Sequence, residues 1–580
     1  MSLPCRSLAA ALAALAVLAL LSPLAPGAAA SERAHALDGS EVSPWDRYFL
    51  RRTNPITFQP GLGAIAMDVT TRSSEARSWF NQGLAQLFGF AHEDAIYSFD
   101  RALAHDPNLA MAYWGRAWAY GANINLDADF DRARKAYENF QAASARAASA
   151  SPREQAYIRA LDGRYEPGVK PYGPAPRGDR DEEFFLRMVN DVMNRYPADL
   201  HAATFAAEAG LDLNPWNQWS KDGRPRKHTR QIVAILERVL ALDPHHVGAQ
   251  HYYVHAVEAS PVPDDALLAA QRMKSDAFGQ PHLVHAASHI YARDGDWGSA
   301  QVSGQDAEYQ DELYLQRNGI NNLYTIAHGS HNIHFEASVM SMGGRRVLAI
   351  ANARELRLKV TPFLDDLPAI EFYQPYEILM RTRFADWDGV LAMPEPPSHL
   401  LGARALRHYA RGVAYAETGR EEAASRELAS LIGLRNRIRQ RRPEYPEFNL
   451  NPVPAVLAVA ERVLAGRIRW HRGDRDLALR LFGQAVRLED ELHYDEPPPW
   501  YFPTGELLGA ALLRSGRPNE AEAAFRAVLR DYPGDGWALF GLVESLRAQG
   551  APTTAVALAE RAFARAWRWA DTPLTIGLLL

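Results

Sequence analysis

The sequence predicts an all-α fold, a chain of helix pairs stacked into a solenoid. Three observations carry that expectation. Beyond the first residues the pattern is helical and strand signals are few. A set of large and small residues returns at the same offsets, as Trp79, Gly83, Ala95, Phe99, Ala102 and Pro107 near the start and as Gly509, Ala521, Phe525 and Pro533 near the end. The breaks between these patterns are rich in proline and glycine, as insertions between repeating units would be.

Taken in order, residues 1–30 read as a secretory signal peptide. Arg6 supplies a positive charge, Leu8 to Leu21 is an unbroken run of Ala, Leu and Val, and Ala28-Ala29-Ala30 offers small residues for cleavage before Ser31. The run is shorter than the ~20 residues a spanning helix needs, so the expectation is a periplasmic or secreted chain with no membrane span once mature. Cys5 is the single cysteine. A mature chain without cysteine has no disulfide, no thiolate ligand, no c-type haem attachment and no cysteine nucleophile. A net charge of −6 gives no reason to expect nucleic acid. The run Arg435 to Arg442 reads as a solvated loop.

Residues 31–72 read as a leader segment before the repeats. In the first unit the large residue fills the gap between two antiparallel helices, Gly and Ala let them approach, and Pro107 ends the second helix. A second unit opens at Tyr113-Trp114-Gly115 and is stretched before Ala133 and Tyr137. Further copies fall at Gly412, Tyr415 and Ala424, and at Gly466, Ala478, Phe482 and Ala485. Gly541 opens another copy 32 residues after Gly509. Tyr165 to Arg180, Leu213 to Arg226, Pro362 to Pro375, Pro394 to His399 and Tyr494 to Pro503 read as loops. The expected organisation is repeats over 73–345, a connecting segment over 346–400 and further repeats over 401–580.

On these residues the chain resembles the tetratricopeptide repeat family over most of 73–580. The resemblance implies a right-handed superhelix whose first helices line a concave face, which in this family commonly binds peptides or proteins. The segments Phe80-Asn-Gln-Gly-Leu, Gly89-Phe-Ala-His92, Ala110-Met-Ala-Tyr-Trp-Gly115, Ser288-His-Ile-Tyr291 and Glu496-Pro-Pro-Pro-Trp500, with the histidine runs below, resemble uncharacterised exported bacterial members. That resemblance implies no reaction.

Ten of the nineteen histidines lie between His245 and His334. His251, His255 and Glu258 fall within a wedge of ~60° on one predicted helix, about Val247 to Ala259, and His282, His285 and His289 do so on a second that begins near Pro281. A third, about Asn322 to Met342, carries His331 and His334 one turn apart, with His328 further round. These would be successive first helices, ~10 Å apart, so that imidazoles reaching from each side can meet at a common ion. The expected metal ligands are His251, His255, Glu258, His282, His285, His289, His331 and His334. Such a set exceeds the needs of one tetrahedral ion, so it reads either as a dinuclear site or as one ion with acid/base groups beside it. Imidazole-rich and carboxylate-poor, it favours copper or zinc over calcium or magnesium. Glu258 is the candidate catalytic residue, as ligand, imidazole orienter or general base. Tyr252, Tyr253, Tyr291 and Tyr324 are candidate neighbours, and His92 and Glu208 are candidates to approach from earlier repeats. His245-His246 reads as a turn.

Three functions remain open on this reading. One is an exported repeat scaffold with a copper or zinc site, catalytic if a coordination position stays open. The second is a non-enzymatic module that binds a peptide or envelope partner in the groove. The third is a pH-responsive binder. No His-Glu-x-x-His, Ser-His-Asp, phosphate loop or dinucleotide fingerprint appears, and Gly61-Leu-Gly63 lacks a third glycine, so neither nucleotide nor flavin is expected.

Overall fold

The computed structural model describes residues 47–126, 128–165, 179–441 and 445–580. The leader read at residues 1–30, Cys5 and most of the Tyr165–Arg180 loop lie outside the described residues. Among the described residues the fold is all-α. Helices follow one another along the chain, and the β-type pairing consists of three isolated bridges.

The helix pairs form for the reason the spacing implied. Ser74–Phe88 packs on His92–His105, which packs on Ala110–Tyr120. Phe99 is the wedge between them: a Cβ on Gly83 would lie 2.7 Å from its ring, and one on Gly115 2.4 Å. The same device returns near the end of the chain, where a Cβ added to Gly509 would lie 2.7 Å from the Phe525 ring and one added to Gly541 closer still. One phenylalanine thus locks its own pair and the first helix of the next unit, and that sets the repeat length. Gly541→Ala is therefore expected to cost about 1–3 kcal/mol through overpacking. Gly433→Ala is the control. A Cβ there meets nothing within 4 Å, so the exchange should stabilise by up to about 1 kcal/mol through helix propensity. Urea midpoints of the two variants read both effects.

Arg435 to Gln440 is not a loop. It forms the last turns of the helix Glu421–Gln440. Arginine is a good helix former, and Leu431, Leu434 and Ile438 bury one stripe of this helix under the charges. Arg435 pairs with Glu461 at 2.8 Å. Within 346–400 the chain forms the helices Arg346–Val360, Tyr376–Arg383 and Trp387–Ala392, with 3-10 turns between the first two. The residues before Ser74 run across several repeats. Leu50 N–H donates to Glu93 at 2.6 Å, Thr53 N–H to the Asn318 carbonyl at 3.0 Å and Thr70 N–H to Glu154 at 2.7 Å.

Candidate metal centre

Three helices bring the histidines together, Val247–Val257, Pro281–Arg293 and Leu323–Met342. Every residue of the first is buried. It can lie that deep because Gly248 leaves no room for a side chain: a Cβ there would stand 2.5 Å from Phe88. Pro281 sits in the first turn of the second helix, where its missing N–H costs nothing. Asn322 caps the third through the Thr325 N–H. The packing buries five imidazoles almost completely, with His251 and His285 at 0%, His282 and His289 at 1% and His255 at 3% exposure.

The side chains divide into two groups of three. Ligand-capable atoms of His251, His255 and His282 all lie within 4.8 Å of one another, as do those of His285, His289 and His331. Each group takes two imidazoles one turn apart on one helix and the third from the next helix. In the first group His255 Nε2 stands 3.0 Å from His251 Nε2. In the second His289 Nε2 stands 2.8 Å from His285 Nε2. Two nitrogens on one tetrahedral ion with bonds of ~2.0–2.1 Å are ~3.3–3.4 Å apart, so each pair would open by a few tenths of an ångström to hold one.

The proton inventory of the first group is constrained. His251 Nδ1 lies 2.6 Å from the Phe88 carbonyl, so it must donate. His255 Nδ1 lies 2.8 Å from Glu258 Oε1 and must also donate. With one proton per neutral ring, both Nε2 atoms carry lone pairs, and these lone pairs face each other. His282 completes the group with both ring nitrogens buried and unpartnered. In the second group His289 Nδ1 donates to Glu258 Oε2 at 2.7 Å. A neutral chain exists there if His285 donates through Nε2, with His285 Nδ1 left buried and unpartnered.

Glu258 ties the groups together, with one oxygen on His255 and the other on His289. His255, Glu258 and His289 are themselves close enough to share an ion. Burial works against the carboxylate charge, but the His255 and His289 side chains that donate to it outweigh that and hold Glu258 at about 2. Glu258 is thus an acceptor on both oxygens. Burial, and then the neighbouring imidazoles, push His251, His282, His285 and His331 well down. Neutral imidazole is the form that ligates metal.

The remaining expected residues are placed as follows. His334 does not join either group. Its ring packs against Tyr376 at 4.2 Å, Tyr373 at 5.3 Å and Phe372 at 6.0 Å. His328 lies beside His282, with ring centres 4.9 Å apart. Tyr324 meets the backbone of the first group, its hydroxyl accepting the His282 main-chain N–H at 3.1 Å. Tyr252 instead donates to Glu208 at 2.9 Å, and Tyr253 donates to Glu237 at 3.3 Å. Glu208 also accepts from Trp118 at 3.0 Å. His92 faces Asn123 at 3.3 Å. His246 is a helix cap: its Nδ1 accepts the Ala249 N–H and its Nε2 meets His201 Nδ1 at 2.9 Å, while His201 Nε2 reaches the Ala66 carbonyl. That chain has a neutral solution in which every proton has an acceptor, unlike the His251–His255 pair.

Aromatic walls and one acid were not expected at the site. Phe90 packs on His251 at 4.5 Å and on His282 at 5.5 Å. Phe335 packs on His289 at 4.8 Å and His285 at 5.2 Å. Trp216 touches both groups, at 5.5 Å from His255 and 6.4 Å from His289. Phe90 and Trp216 both have left-handed backbone, φ 56° and 58°. Bulky residues reach that region at a cost, and such strain gathers at functional sites. Glu496, from the segment between helices Arg475–Asp490 and Thr504–Arg514, lines a cavity with His282, His289, His328 and His331.

The tetratricopeptide repeat family model matches residues 512–566. No curated protein matches the chain. Human IFIT1, solved as a dimer with m7Gppp-AAAA, is 13% identical over 87% of this chain and 91% of its own, with a TM-score of 0.32. Yeast Tom70 is 12% identical over 86% and 92%, with a TM-score of 0.26. Identities and scores this low leave the function of this chain to its own residues. The family match marks residues 512–566 as tetratricopeptide repeat, and helix pairs packed by the same wedge-and-glycine device recur near the start of the described chain.

Proposed function

We propose that the chain is an exported repeat scaffold that holds copper or zinc at the two three-histidine groups, with Glu258 orienting a ligand in each. One observation carries the reading: His251 and His255 both have their Nδ1 protons committed to acceptors, so two lone pairs confront each other at 3.0 Å. A cation between them, metal or proton, would relieve that contact. An added proton would satisfy that pair but would leave both nitrogens of His282 unused. An ion taken by three imidazoles uses one nitrogen of each, His282 included, and the all-imidazole set suits copper or zinc. The second group has a neutral alternative, so the first ion goes to His251, His255 and His282.

Elemental analysis of untagged protein, before and after reconstitution with each metal, tests this when paired with His282→Phe. If His282 is only packing, an apolar ring of similar size removes two unpartnered nitrogens and is tolerated with no effect on metal. On the metal reading the variant keeps its helical circular dichroism and loses the more tightly held equivalent. Wild-type protein that binds neither metal after reconstitution would overturn the proposal.

The match at residues 512–566 favours a second, compatible role, protein binding along the repeats. Crosslinking to envelope proteins, compared between metal-loaded and metal-stripped chain, separates the roles. A partner held equally in both states would belong to the repeats alone.

A further inference from the structure

A cavity of ≈ 310 Å³ opens on both three-histidine groups at once, lined by His282 of the first and by His289 and His331 of the second. Its volume is at the lower end of the roughly 300–1,000 Å³ typical of small-molecule sites. Aromatic side chains supply much of the wall, among them Phe90, Trp216 and Phe372. Among the described residues that line it there is no lysine or arginine, while Glu93, Glu447, Asp495 and Glu496 contribute carboxyl groups. Glu496 is buried and accepts a hydrogen bond from the Tyr494 hydroxyl.

We propose that this cavity binds a small uncharged arene bearing one hydroxyl or amine donor, with its ring between the aromatic walls and its donor atom turned to the histidine groups. The inference rests on the metal reading above, since the ions supply the partner for the donor's lone pair. Three features select this class. The walls offer π faces to a flat body. Among the described lining residues an anion would meet the carboxyl groups of Glu93, Asp495 and Glu496 and no lysine or arginine, so that only the bound ions would attract it. A donor that carries a proton finds an acceptor in Glu496, on the same wall as His289. Phe90 and Trp216, held in left-handed backbone, shape the space between the two groups.

The test uses the full zinc-loaded chain, with phenol as the probe and benzoate as its anionic counterpart, read by saturation-transfer NMR and calorimetry. Phenol is expected to bind saturably and more tightly than benzoate. Ala327→Trp fills the cavity from a position with no ligand role, and should weaken phenol at least tenfold while zinc content stays the same. Ala369→Trp fills it from another element and should do likewise if the first variant misfolds. Glu496→Gln should weaken phenol several-fold, again at unchanged zinc. The proposal is overturned if phenol does not saturate, if benzoate binds more tightly, or if both tryptophan variants bind phenol like wild type. A wild-type chain that takes neither zinc nor copper fails the metal reading instead, and phenol binding to it with and without Ala327→Trp still decides whether the cavity is a ligand site.

Discussion

On the proposed metal reading, Glu258→Gln is expected to lower metal affinity at both three-histidine groups in one substitution, by about 10–100-fold at the group more affected. The carboxylate accepts a proton from His255 on one oxygen and from His289 on the other. Glutamine offers one oxygen and one NH2. Whichever imidazole meets the NH2 must turn its lone pair to Nδ1 and carry its proton on Nε2, and that nitrogen is then lost as a ligand. The other imidazole keeps its acceptor but loses the negative charge that makes its nitrogen a stronger base. His331→Ala is the comparison, since His331 belongs to the second group alone, and only that group's affinity should fall. Titration against a competing chelator reads two binding steps in each protein. Unchanged affinity at both steps in Glu258→Gln would remove this residue from the site.

The helix period made the stripes legible. His251 and His255, like His285 and His289, are four residues apart, and that spacing alone puts them on one face. Which imidazoles share a group was not legible, because it depends on how far neighbouring helices stand apart and on their rotation about their own axes. His331 and His334 show the difference. Three residues apart, they diverge by ~60°, enough for His331 to reach His285 while His334 turns to Tyr376. Glu258 stood out as the one carboxylate on the stripe, yet its span between two groups comes from the approach of the helix Pro281–Arg293. Phe90, Trp216 and Glu496 follow no helical pattern. The first two owe their positions to left-handed backbone, and the third is carried in by a segment more than 160 residues beyond the last histidine of the cluster. The arginines at 435–442 concealed Leu431, Leu434 and Ile438, a buried stripe that their charge count outweighs in sequence.

That distant segment depends on how the last repeats dock, which gives the second large effect. Arg383→Met is expected to destabilise the chain by about 3–5 kcal/mol. The Arg383 guanidinium holds both oxygens of Glu506, at 2.6 and 2.9 Å, with side-chain exposures of 5% and 0%. It also lies over the Trp537 ring at 3.9 Å. The pair joins the helix Tyr376–Arg383 to Thr504–Arg514, the helix that follows the segment carrying Glu496. Removing the cation strands a buried carboxylate, and Asp535 beside it adds to the strain, since burial and Glu506 already raise that group well above the usual carboxylate range. A bare pair costs most because one partner is left unmatched, so adding Glu506→Gln to Arg383→Met should restore much of the loss even though it removes a second native group. Urea unfolding followed at the tryptophans gives both numbers. A single variant within about 1 kcal/mol of wild type would mean that water reaches Glu506 and that the pair does not hold the last repeats in place. A single variant as unstable as expected, with the double variant no better, would assign the loss to the Arg383–Trp537 contact instead of to the stranded charge.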